Sequence, residues 1–98
     1  MTKDEIKKLK PGEIVVYKVG QREVPLIVAP DGPHGIMFVP SNGGYWGSAF
    51  TAERYRPATK REQDDFMMEV VGIVGAYEER LEEVKEFRRN CFEWRGEK

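Results

Sequence analysis

The sequence predicts an α+β protein: a small, curled antiparallel sheet of four to five short strands followed by one long C-terminal helix. Three observations carry this. From Thr59 to Trp94 the apolar residues Phe66, Val70, Ile73, Tyr77, Leu81, Val84, Phe87, Cys91 and Trp94 recur in steps of three and four, one apolar stripe on an α-helix. Between residues 13 and 50, short runs rich in β-branched and aromatic residues alternate with Gly, Pro and Asn clusters. Ninety-eight residues, 40% of them hydrophobic, suffice for one core and are too few for two. We therefore expect a single domain over 1–98, with a short N-terminal helix in 1–10, the sheet in 12–58 and the helix in 59–95.

Thr2 followed by Glu5 is a capping-box pattern, and with Ile6 and Leu9 it predicts a short helix from Thr2 to Lys8, ended by Pro11-Gly12. Glu13 to Val19 reads as a strand, and Gly20-Gln21-Arg22 turns the chain into a second one, Glu23 to Ala29. Pro25 lacks an N–H, so that second strand should be an edge or should begin near Leu26. The loop 30–35 leads to a third strand, Ile36 to Val39, closed by Pro40. Asn42-Gly43 then offers a tight turn into a returning strand, Tyr45 to Phe50. Thr51 to Tyr55 reads as a turn or a single 3₁₀ turn, and Arg56-Pro57 leads out toward the helix.

The long helix opens on a second capping box, Thr59 with Glu62, and carries acids in its first turns and basic residues toward its end. Met67, Val71 and Val74 add a second apolar set, so the half from Phe66 to Tyr77 should be heavily buried. Gly72 and Gly75 weaken this half, and a fifth strand at Val70 to Val74 is the rival. A continuous helix would be about 52 Å long, against a diameter of about 27 Å for a compact unit the size of the sheet. Its far stripe would overhang into water, which predicts a homodimer whose interface is Tyr77, Leu81, Val84, Phe87, Cys91 and Trp94.

The run Leu9-Lys-Pro-Gly-Glu-Ile-Val-Val16, the tight turns and the closing Tyr55-Arg-Pro-Ala-Thr59 resemble the small SH3-like barrels of bacterial and phage proteins. The resemblance covers residues 9–59. It implies an SH3-like β-barrel for this part of the chain and a binding module whose loops and open edge meet a partner.

The 16 basic and 17 acidic residues nearly cancel to a net charge of -1, so no global field draws the chain to nucleic acid or to a membrane. The single cysteine excludes an internal disulfide, and with no run of membrane-spanning length and no signal-peptide pattern this predicts a cytoplasmic protein. One His and one Cys fall short of a zinc set, His34 lies in a Gly/Pro loop, and Asp64, Asp65 and Glu69 read as dipole complements of the helix start. We thus expect no catalysis, no metal, no cofactor and no small-molecule substrate. Asn42, Tyr45 and Trp46 put large rings beside a glycine loop, and Arg54, Tyr55 and Arg56 lie near them in the predicted fold, which suggests a surface for a protein target. Chains of this size and charge density resemble phage accessory proteins that block host machinery, including anti-defence inhibitors. The alternative is a regulatory module that binds RNA or single-stranded DNA, since basic residues beside aromatics also suit stacking.

Overall fold

The computed structural model describes residues 1–30, 36–41, 43, 52–72 and 81–96. In chain order the elements are helix α1 (Lys3–Lys7), strands β1 (Ile14–Val19), β2 (Arg22–Pro30) and β3 (Ile36–Pro40), a 3₁₀ turn (Ala52–Arg54), strand β4 (Tyr55–Pro57), and helices α2 (Lys60–Gly72) and α3 (Leu81–Trp94). The four strands form one antiparallel sheet in the order β3-β2-β1-β4.

The sheet separates two apolar clusters. Alternate residues of each strand go to opposite faces. Ile14, Val16, Ile27, Ala29 and Val39 meet Phe66, Met67 and Val70 of α2 and Cys91 of α3 on one face. Val15, Leu26, Val28, Phe38 and Tyr55 meet Ile6 of α1 and Ala52 of the 3₁₀ turn on the other. Runs such as Ile14-Val-Val and Leu26-Ile-Val-Ala are apolar at every position because both faces are covered.

The α+β class stands, but the barrel and the single long helix do not. The sheet is open: β3 and β4 lie at opposite edges with two strands between them. It is nevertheless curled. In a flat sheet those edges would lie about 14 Å apart at the usual strand spacing, yet the rings of Phe38 on β3 and Tyr55 on β4 stack with centroids 4.7 Å apart. Helical cover on each face replaces barrel closure as the way to exclude water from the core.

The helix is divided. Lys60 to Gly72 and Leu81 to Trp94 are separate helices, and the residues between them, including Tyr77, lie outside the described set. A continuous helix of about 52 Å would exceed the longest extent of the molecule, 37 Å. Folding back instead sets α3 beside α2, so that Cys91 is fully buried in the chain's own core and Phe87, Phe92 and Trp94 pack against it. Of the stripe from which a dimer is expected, Phe87, Cys91 and Trp94 therefore pack within the chain instead of overhanging it. The side chains of Leu81 and Val84 lie outside the described set. Within α2 the second apolar set is split: Met67 is buried, whereas Val71 is 49% exposed and its neighbour Met68 72%. Val70 and Val71 are helical, so the rival fifth strand fails at its first residues.

Two further expectations change. Tyr55, expected to end the turn, and Arg56-Pro57, expected to lead out toward the helix, form β4 on the outer side of β1. And β2 is a central strand that runs through Pro25 without interruption. Its amide pattern explains why. Val28 N–H donates to Glu13 carbonyl oxygen at 2.8 Å, and alternation along an antiparallel ladder then turns the backbone groups of Pro25 away from β1. On that other side β3 has ended, because Pro40 already faces Leu26. Proline thus occupies the one stretch of β2 where no neighbour requires an N–H. The proposed returning strand, Tyr45 to Phe50, lies outside the described residues.

Candidate functional site

Of the residues expected to meet a partner, Asn42, Tyr45 and Trp46 lie outside the described set, and Arg54, Tyr55 and Arg56 fall together at one end of the sheet. Their roles differ. Arg54 is exposed on the 3₁₀ turn and Arg56 is half-exposed on β4. Tyr55 is a core residue, 2% exposed, its ring stacked on Phe38 and tilted against Tyr17 with centroids 4.6 Å apart. It anchors the two arginines from beneath instead of presenting a ring to solvent.

Strand pairing brings distant residues to the same place. Tyr17 faces both Val24 and Tyr55, and Lys18 faces Glu23, so the β1–β2 hairpin end stands beside β4. The result is an open groove of about 410 Å³ lined by Lys18, Gly20, Glu23, Glu53, Arg54 and Arg56, with Val16 and Tyr55 also reaching it.

Arg56 is the groove's fixed point. Its Nη1 and Nη2 donate to Oε1 and Oε2 of Glu62, each at 2.8 Å, and Nη2 also donates to Glu23 Oε2 at 3.1 Å. One guanidinium therefore ties β4 to β2 and to the first turn of α2, a two-pronged geometry available to Arg and not to Lys. The same Glu62 carboxylate accepts from Thr59 N–H at 2.9 Å, while Glu62 N–H donates to the Thr59 hydroxyl at 3.2 Å, completing the capping box. Charge-assisted bonds from Arg56, then the Thr59 amide, hold the Glu62 carboxyl down at about 2. The reciprocal bonds raise the Arg56 guanidinium above its ordinary value. The side chains of Lys18, Glu53 and Arg54, by contrast, are exposed with no ion pair or hydrogen bond among the described residues. Fixed and uncommitted charges of both signs thus share one groove.

The adjoining edge of the sheet is blunted. Ala58 N–H donates to Ile14 carbonyl oxygen at 3.1 Å, so by alternation Tyr55 and Pro57 turn their backbone groups outward. The Met1 nitrogen donates to Tyr55 carbonyl oxygen at 2.6 Å, Arg56 Nη1 donates to Pro57 carbonyl oxygen at 3.2 Å, and Pro57 has no N–H. An added strand would find few free groups on β4.

A second groove, about 420 Å³, lies near the other end of β1 between Leu9, Pro11, Gly12, Gln63, Trp94 and Arg95. Arg95 Nη1 donates to Gly12 carbonyl oxygen at 2.8 Å and Nη2 to Gln63 Oε1 at 3.0 Å. These bonds fasten the end of α3 to α2 and to the entry of the sheet, so this groove is a structural joint.

Sequence reasoning singles out Arg54 and Arg56 for this surface but not Lys18, Glu23 or Glu62. The first two carried a signal: a two-residue Gly20-Gln21 loop fixes Val19 opposite Arg22, which places Lys18 opposite Glu23. The link to Glu62 had none, because it depends on β4 being a strand. Comparisons with protein-family models, curated proteins and solved structures found no match for this chain. Among the described residues no helix is long and apolar enough to cross a membrane.

Proposed function

We propose that the protein is a non-enzymatic binding module that engages a protein target through the groove between the β1–β2 hairpin and β4. The observation that carries this reading is the groove's mixed charge. Lys18, Arg54 and Arg56 line the groove together with Glu23 and Glu53, and Glu62 adds a third carboxylate bound to Arg56. A polyphosphate backbone is uniformly negative and would be repelled by these carboxylates, whereas a protein surface can carry both signs in complementary places. The single described aromatic of the groove, Tyr55, is buried and offers no face for stacking a base. A partner would meet side chains rather than extend the sheet, because the β4 edge is blunted. An accessory protein that blocks a host protein would act in this way, by occupying a surface the host needs.

The test is capture of partners from lysate on the immobilised, full-length protein after nuclease treatment, across about 50 to 200 mM salt. A retained protein that survives nuclease supports the reading. Retention of nucleic acid, lost steeply over that salt range, would replace it with the nucleic-acid alternative. Retention of neither would remove its support.

A further inference from the structure

We draw no further inference here: the strongest candidate, the exposed apolar patch of Met68 and Val71 on the outer face of α2, carries nothing because no feature of the structure shows what covers it.

Discussion

Gly12 shows how a single residue can decide whether the layers close. Its φ of +98° is one that side chains rarely adopt, and a Cβ there would lie 2.2 Å from the Trp94 carbonyl oxygen and 2.5 Å from its carbon. The obstacle is backbone, held in place by Arg95, and cannot swing aside. Gly12→Ala should therefore destabilise the fold by about 2 kcal/mol or more, read as a lower urea midpoint; an unchanged midpoint would contradict the close approach of α3 to the sheet entry. Cys91 gives a second residue-scale prediction. Burial pushes its thiol up to about 12, so it should resist a thiol-specific reagent in the native state and react fully only on unfolding. Glu62 gives a third. Its carboxyl is held at about 2 by Arg56, below the value of about 4.3 usual for an unfolded chain. The stabilisation is complete above that unfolded value and is lost as pH falls through the folded one. Glu62→Gln should lower stability at neutral pH by about 1 kcal/mol, through the lost cap and ion pair, and flatten the acid limb of a pH titration of stability. The two capping boxes were legible in the sequence because each spans four residues. The Arg56 bridge to Glu23 and Glu62 was not, since three separate elements build it.

The strands and helices were legible to different degrees, for physical reasons. β1 and β3 follow from their β-branched runs, with limits close to those expected. β2 differs from expectation because Pro25 suggests an edge strand or one beginning near Leu26, whereas β2 is central and only its first stretch, before β3 pairs at Leu26, has one open side. β4 has three residues and no periodicity to betray it. Gly43 shows the positive φ expected of its turn, +77°, and its N–H donates to Pro40 carbonyl oxygen at 3.0 Å. The helix misled most. Its stripe keeps one phase from Phe66 to Trp94 because both helices face the same sheet, so periodicity carries no mark of the division between them. Phe87 tests this arrangement. It packs on the chain's own core and lies against Gly43, so Phe87→Ala should lower the unfolding free energy by about 2 kcal/mol equally at every protein concentration. A loss that appeared only on dilution would instead place Phe87 between two chains.

For the whole molecule, the fold-back of α3 changes what a second copy could contribute. Of the stripe expected to seek a partner chain, Phe87, Cys91 and Trp94 pack on the core that β1, β2 and β3 build, and the apolar side chains left exposed on α2 are Met68 and Val71. Sedimentation velocity at micromolar concentration should accordingly give a monomer, and a dimer that persisted in Met68→Lys would sink that account. Two covered faces and a blunted β4 leave the hairpin end as the place where uncommitted charges are concentrated in a groove. The most direct test is therefore charge reversal at Lys18 and Arg54 together, two exposed side chains with no partner among the described residues. Lys18→Glu with Arg54→Glu should leave the far-ultraviolet circular dichroism and the urea midpoint unchanged while weakening capture of the protein partner at least tenfold. A folded double variant that retained its partner at wild-type strength would contradict the assignment of binding to this groove.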